Sequence, residues 1–301
     1  MLNPARSCIA TLAWCVNVLF CFVIPALAQT VPQPGSAADL LRMHASLRAR
    51  LSNNQFQRPL VLESVESAQR VEGSVYAVLD SPFSDVGRTL QNPVQWCEVM
   101  ILHLNTKYCR AASELAPTQL KVSIGRKTPQ KLTDAFELDF SFNVTAARSD
   151  FLAVVLNAPK GPLGTSEYRI ELQAAALPEN RTFLRMNYAY GYGMASRVAM
   201  QGYLSTLGSG KVGFTQVSQG ANADYVGGIR GAAERNIMRY YLAIEAYQAS
   251  LRRPRAEQSD ARLAHWFDAT EEFPRQLREI DKKDYLAMKK AEKERQQIAS
   301  P

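Results

Sequence analysis

The residues best placed to take part in chemistry are tyrosines that recur at every second position. Tyr188, Tyr190 and Tyr192 alternate with small and polar residues, and Met186 and Met194 fall in the same register. In a β-strand this spacing puts all five side chains on one face. Tyrosine rings offer broad apolar surfaces with hydroxyls that can orient a polar group, and methionines adapt their shape. The pattern predicts a ligand-binding wall; the alternative is that a packed helix fills the same space.

A second alternating run carries phenylalanines. Phe136, Phe140 and Phe142 recur with the two-residue period of a strand and are predicted to line the same cavity. Leu138 shares their face but is excluded from the predicted ligand contacts. Tyr240, in the strongest helical segment of the chain, is predicted to face this cavity from the other side. The alternative for the phenylalanines is an ordinary apolar core.

Motifs of known enzymes do not occur in the sequence. There is no nucleophile elbow G-x-S-x-G, no phosphate-binding loop, no HExxH and no dinucleotide-binding glycine pattern. The three histidines, His44, His103 and His265, fall in separate helical regions, and His103 is interpreted as a structural neighbour of Cys97. Asp139 alternates away from the phenylalanine face. We therefore predict no catalytic residue, no metal site and no cofactor.

Cys97 and Cys109 are predicted to form a disulfide bond. The other three cysteines lie within Met1–Ala28, which has a basic start, an apolar run and a small-x-small ending before Gln29. This pattern is typical of a signal peptide cleaved after Ala28, so we expect a periplasmic or secreted protein. In an oxidising compartment two nearby cysteines most simply pair, the alternative being a metal or redox pair. The alternative for the apolar run is an uncleaved anchor.

The composition is that of an ordinary globular protein. The chain has 301 residues, of which 47% are hydrophobic and 21% charged, with a formal net charge of +7. These values exclude a disordered chain, a collagen and a multi-span membrane protein. A nucleic-acid-binding protein would usually concentrate such charge, so the total says little, and no nucleic-acid partner is expected.

The periodicity divides the chain into four parts. Residues 1–28 are the signal peptide, and residues 29–66 are predicted to form an N-terminal linker and one short helix. Residues 67–253 form the predicted main domain. Residues 254–301 are a charged, partly helical C-terminal extension.

The main domain has a definite order of predicted elements. A strand and two short helices are followed by six strands, the last near Lys211–Val217, and by a long helix over Gly227–Arg253. Turn residues between consecutive strands favour an antiparallel meander. In the extension beyond, Lys289–Gln297 is expected to be a solvated helix or a frayed end.

The sequence around the first predicted strand resembles a known superfamily. Gly73–Leu79 alternates as a strand, Ser81–Val86 begins a helix at a serine–proline pair, and Asn92–Trp96 contains an asparagine–proline turn followed by tryptophan. With the element order, this stretch resembles the START-like superfamily (SRPBCC, helix-grip), which includes polyketide cyclases and lipid-transfer domains. The resemblance implies an α+β fold in which a curved antiparallel sheet of about seven strands wraps around a long C-terminal helix. It also implies a cavity for an apolar ligand between sheet and helix, and it brings no catalytic signature.

These observations favour non-enzymatic binding as the function. We expect an exported protein that holds a hydrophobic small molecule or lipid between the sheet and the long helix. One or two tyrosine hydroxyls, or Arg185, would contact the polar end of the ligand. Two alternatives stay open. One is a cyclase- or aromatase-type enzyme that uses the same cavity, and the other is a non-catalytic envelope protein whose extension contacts a partner or the membrane.

Overall fold

The structure is a computed structural model that describes residues 35–112, 118–206, 210–218 and 224–298. The expected signal peptide lies outside the described residues, which belong to one compact unit. The strands are β1 (Leu60–Glu66), β2 (Arg70–Leu79), β3 (Thr106–Ala112), β4 (Gln119–Ile124), β5 (Phe136–Ala147), β6 (Phe151–Lys160), β7 (Ser166–Leu177) and β8 (Arg181–Gly191). The helices are α1 (Ala37–Ser52), α2 (Phe83–Leu90), α3 (Pro93–Met100), α4 (Met194–Thr206), α5 (Gly228–Ser250), α6 (Gln258–Glu271), α7 (Pro274–Leu277) and α8 (Lys282–Ile298).

The strands form a single antiparallel sheet in the order β1-β2-β8-β7-β6-β5-β4-β3. Strands β3 to β8 follow one another as a meander, and β2 closes the set beside β8, with Val75 opposite Met186. The predicted α+β helix-grip architecture is confirmed, with eight strands where about seven were predicted. The sequence analysis did not predict β1, which pairs with β2 along its whole length, or β3, which pairs with β4.

Different helices cover the two faces of the sheet. Helix α5 packs on one face, against a core that includes Val75, Leu172 and Met186. Helix α1 packs on the opposite face, in a smaller core that includes Leu40 and Phe183. Because successive side chains of a strand point to opposite faces, each strand contributes to both cores.

Helices α2 and α3 connect β2 to β3. The Asn92 side chain caps the first turn of α3, and the Trp96 indole N–H donates to the carbonyl of Leu90 at 2.6 Å. Cys97 of α3 and Cys109 of β3 form a disulfide bond, with their Cα atoms 5.2 Å apart. The predicted pairing of these two cysteines is confirmed.

Helix α5 is buried on both sides, because α3, α4, α6 and α7 contact it where the sheet does not, and α8 packs on α6 and on β3. The Trp266 indole N–H donates to the carbonyl of Arg239 at 3.0 Å. Tyr285 stacks on Trp266, with ring centroids 5.0 Å apart, and its hydroxyl donates to the carbonyl of Leu102 at 2.9 Å. The C-terminal extension therefore packs as part of the domain.

The end of the extension differs from the prediction of a solvated or frayed segment. Lys289 is fully buried, and its ammonium donates to the carbonyls of His103 and Thr106 at 2.6 and 2.7 Å and to Glu292 at 2.7 Å. Lys107 of β3, also buried, donates to the same Glu292 at 3.0 Å. The charge pattern alone predicted that these side chains are exposed. In the structure, hydrogen bonds to β3 and to the turn before it compensate their burial.

The segment Lys211–Val217, which was predicted to be the last strand, does not join the sheet. Within residues 210–218 and 224–298 it forms only one isolated β-bridge. The backbone N–H groups of Phe214 and Thr215 donate to the carboxylate of Glu234 on α5. Glu234 is fully buried. Its carboxylate therefore accepts the backbone hydrogen bonds that a neighbouring strand would accept in a sheet.

Candidate functional site

Five buried tyrosines meet where the sheet packs against α5, and we call them the tyrosine face. Its members are Tyr168 of β7, Tyr188 and Tyr190 of β8, Tyr192 directly after β8, and Tyr240 of α5. The Tyr168 and Tyr190 rings stack with centroids 5.2 Å apart, and the Tyr188 and Tyr240 centroids are 5.9 Å apart. The structure thus brings together four tyrosines of the predicted site and adds Tyr168, which the sequence analysis placed in a strand but not in the site.

The hydroxyls of the tyrosine face differ in how they are satisfied. The Tyr168 hydroxyl is hydrogen-bonded to Thr165 at 2.8 Å, and that of Tyr192 donates to a backbone carbonyl at 2.8 Å. The Tyr190 and Tyr240 hydroxyls have no hydrogen-bond partner in the part of the chain that the structure describes. They are therefore free to bond to a ligand or to water.

Burial sets the protonation of these hydroxyls. It raises the pKa of Tyr168 to about 12 and the pKa of Tyr190 and of Tyr240 further still. A hydroxyl with so high a pKa stays protonated at neutral pH, so it is suited to hydrogen bonding and poorly suited to removing a proton.

Of the remaining residues predicted to contact the ligand, some are buried and others are exposed. Met186, Phe140 and Phe142 are buried in the core beside α5. Phe136, at the start of β5, is 40% exposed, and Met194 is 85% exposed. The expectation that Met194 continues the tyrosine strand is wrong, because β8 ends before it and Met194 begins α4.

Arg185 lies on the sheet face opposite the tyrosines. Its guanidinium donates to Gln173 at 3.3 Å and is 3.8 Å from the carboxylate of Glu171. Alternation along β8 separates Arg185 from the side chains of Met186 and Tyr188. Arg185 therefore cannot contact the polar end of a ligand bound at the tyrosine face, which corrects the expectation from the sequence.

A histidine lies against the tyrosine face instead. The His103 ring is 4.9 Å from the ring of Tyr240, centroid to centroid, and His103 is buried. Its Nδ1 accepts a hydrogen bond from the backbone N–H of Asn105 at 3.1 Å, whereas its Nε2 has no partner. Burial, helped by the nearby positive charge of Arg239, lowers the pKa of His103 well below its ordinary value. The neutral imidazole then carries its hydrogen on Nε2, as an unused donor.

A group of cationic side chains adjoins His103, and we call it the cationic cluster. It consists of Arg235 and Arg239 of α5, Lys127 after β4, and Lys211, all near the carboxylate of Glu279. Arg239 and Lys127 donate to Glu279 at 2.8 and 2.6 Å, and Lys211 lies 3.9 Å from it.

The sequence analysis missed His103 as a site residue and the two arginines of α5. Arg235 and Arg239 are four residues apart, a spacing that puts them on one side of a helix. Two arginines on one side of the longest apolar helix were a signal that this side faces other parts of the protein. The position of His103 carried no such signal, because it depends on contacts far away in the sequence.

A cleft of about 610 Å³ lies elsewhere, between α2, α3, α5 and α6. Several of its charged groups are paired with one another. Arg262 lies over the ring of Tyr247 at 4.0 Å and donates to Glu98 at 2.8 Å, and Lys293 donates to Glu98 at 3.1 Å. These contacts pair Arg262 and Lys293 with Glu98, in contrast to the unpaired groups beside the tyrosine face.

Two further findings bear on the chemistry of the described residues. They contain no group of three or more His, Cys, Asp or Glu side chains arranged to hold a metal ion. In the same part of the chain, no helix has both the length and the apolar character needed to cross a bilayer.

Comparison with known proteins finds similarity in structure only. No protein-family model matches the sequence, and no curated protein matches it. Human StAR-related lipid transfer protein 5 is 10% identical with a TM-score of 0.36, over 72% of this chain and 98% of that one. Norcoclaurine synthase from Thalictrum flavum is 10% identical with a TM-score of 0.33, over 50% and 82%. A hypothetical protein from Helicobacter pylori is 11% identical with a TM-score of 0.37, over 58% and 86%.

These TM-scores are all below 0.5. The helix-grip assignment therefore rests on the strand order of this chain and on the packing of α5 against its sheet.

Proposed function

We propose that this chain binds a hydrophobic small molecule or lipid between its sheet and α5, and that it does so as an exported, periplasmic or secreted protein. The observation that carries the proposal is the tyrosine face with its two unpartnered hydroxyls, on Tyr190 and Tyr240. Aromatic rings bury apolar ligand surface at about 25 cal/mol per Å². The free hydroxyls would bond to a polar group of the ligand and orient it.

Binding fits the chemistry of these groups better than catalysis does. The tyrosine hydroxyls stay protonated, and the pKa of His103 lies well below neutrality. Neither group is adjusted to exchange a proton near pH 7, which general acid or base catalysis requires. The cyclase-type alternative therefore has no observation in its favour.

The first experiment looks for a bound molecule. The protein is expressed with its export segment, purified without denaturant, extracted with organic solvent and analysed by mass spectrometry. We expect a lipid-like species in stoichiometric amount. Sequencing of the mature N-terminus in the same sample tests cleavage before Gln29, and fractionation of the cells tests export.

A second experiment locates the site. N-phenyl-1-naphthylamine, a neutral aromatic probe that fluoresces in apolar surroundings, is displaced by the extracted species. Tyr190→Phe should weaken binding of that species several-fold by removing one hydrogen bond. Tyr76→Phe is the matched control, because Tyr76 packs on the opposite face of the sheet beside α1. An empty extract from a protein that also excludes the probe would refute the proposal.

A further inference from the structure

The cationic cluster holds more positive charge than the described residues neutralise. Arg235 and Arg239 are 4% and 2% exposed, so both charges are held away from water. Together with Lys127 and Lys211 they surround one carboxylate, that of Glu279. Four cations facing one anion leave three positive charges in excess.

Arg235 shows the deficit most clearly. Its one hydrogen bond to a described residue is to the carbonyl of Val212, at 3.1 Å, and it forms no ion pair within the described ranges. The Nε of Arg239 is buried and has no acceptor there either. The segments 207–209 and 219–223, which flank the described loop before α5, contain no Asp or Glu. Buried charges in proteins are normally paired, and the described residues supply no second anion at this place.

Electrostatics within the cluster agree with this reading. Burial, followed by the repulsion of Arg239, lowers the pKa of Arg235 to about 10 and that of Lys127 to about 8. A shift in this direction means that the surroundings do not compensate the charge, and an added anion would reverse it.

The cluster is continuous with the tyrosine face. Arg235 interacts electrostatically with Tyr190 and with Tyr203 of α4, and Arg239 does so with His103. The direct contact between the two regions is made by His103, whose ring centroid lies 4.9 Å from that of Tyr240. Tyr203 is 37% exposed, whereas Tyr190 is buried. The neighbouring His103 Nε2 is an unpartnered donor nine-tenths buried or more.

We propose that the ligand of the tyrosine face carries an anionic group, a carboxylate or a phosphate, and that Arg235 and Arg239 bind this group while His103 donates a hydrogen bond to it. The inference rests on the proposed function and extends it to the ligand's chemical class, an anionic amphiphile. The planar guanidinium presents paired donors that match a carboxylate or phosphate, which favours arginine at such a position.

The test compares three probes that share one hydrocarbon chain. Oleate, oleyl phosphate and oleyl alcohol are used to displace N-phenyl-1-naphthylamine from the full protein, each below the concentration at which it aggregates. We expect at least one anion to bind about 10-fold or more tightly than the alcohol, because one charge-assisted hydrogen bond increases the affinity by about this factor. The preference between oleate and oleyl phosphate identifies the head group.

Substitutions then locate the anion. Arg235→Gln should remove most of the preference for the anion and leave the affinity for oleyl alcohol within about 2-fold. Arg253→Gln makes the same change in charge at an exposed position after α5 and should have no effect. Should Arg235→Gln fail to fold, Lys127→Met tests the same cluster from the loop after β4.

The outcomes separate the two proposals. Equal affinity of the wild type for the alcohol and both anions, or an anion preference that survives in Arg235→Gln and Lys127→Met, would overturn the anionic site while the tyrosine face stands. Failure of oleyl alcohol and of the fluorescent probe to bind at all would contradict the proposed function, and this inference with it.

Discussion

Lys289 carries a positive charge into a fully buried position, where it shares Glu292 with Lys107. Burial lowers the pKa of Lys289 from its ordinary value of 10.5 to about 7. Below pH 7 the folded and unfolded chains both hold this proton, and the folded chain bears the free-energy cost of burying the charge. Between pH 7 and 10.5 only the unfolded chain holds it, so the stability of the fold rises with pH in that range.

Lys289→Met should abolish this contribution. From pH 7 to 10, the free energy of unfolding of the wild type should rise relative to that of the variant, by at most about 1.4 kcal/mol per pH unit. Urea denaturation at several pH values gives the difference. Lys290→Met, at the neighbouring exposed position, is the control. If the wild type and Lys289→Met change in parallel, the buried lysine does not titrate in this window.

At the same scale, the sequence predicted some site residues and missed others for a definite reason. Tyr188 and Tyr190 share a face because the two-residue period of a strand is local and visible in the sequence. His103, Arg235 and Arg239 come together through packing between a turn, α5 and the chain around Glu279. No periodicity contains that information, so the anionic part of the proposed site emerged only from the structure.

Among the elements, α8 is anchored by one buried aromatic side chain in addition to the buried contacts of Lys289 and Glu292. Tyr285 is fully buried, stacks on Trp266 and donates to the carbonyl of Leu102. Tyr285→Ala should lower the free energy of unfolding by about 3–5 kcal/mol, as deletions of buried aromatic rings do. Lys283→Ala, on an exposed position of the same helix, should change it little. Comparable urea midpoints for the two variants would show that α8 does not stabilise the domain.

The disulfide joins a helix to an edge strand. Cys97 and Cys109 are 12 residues apart, and in the chain-entropy view a loop of this size stabilises the fold by about 3 kcal/mol. The double variant Cys97→Ala/Cys109→Ala should lose about this amount in urea denaturation. Wild-type protein treated with dithiothreitol should lose a similar amount. A reduced wild type as stable as the oxidised one would rule out the expected contribution.

Elements with strong local patterns were predicted, and those defined by distant partners were not. Helix α5 and the strands from β4 to β8 have clear periods in the sequence. In contrast, the segment 210–218 alternates like a strand but bonds to Glu234, and the end of α8 has charges that find buried partners. In both places a tertiary contact overrode the local pattern.

For the molecule as a whole, the proposed ligand binding predicts a link to folding stability. A probe that binds only the folded chain should raise its stability by about 2.7 kcal/mol at a free concentration 100 times the dissociation constant. Thermal unfolding with N-phenyl-1-naphthylamine measures this gain. An increase in fluorescence without a gain in stability would mean that the probe binds exposed or unfolded surfaces equally well.

The order of elements, through the resemblance it carries, predicted the antiparallel sheet and the long helix that packs on it. In the structure β2 lies beside β8, which joins the first predicted strand to the meander. What the order did not contain is the outer layer of α6, α7 and α8, since scattered apolar residues in a charged segment indicate no specific docking surface.

The contact between Lys107 and Glu292 can form only after both residues have been synthesised. The two residues are 185 positions apart, so at translation rates of about 5–20 residues per second Lys107 is made roughly 10–40 s before its partner. Throughout that interval β3, the last strand of the sheet, has no α8 to cover it. A charged lysine on an uncovered edge strand discourages pairing with strands of other nascent chains. The side chain that later completes the interior would first serve to keep the unfinished protein from aggregating.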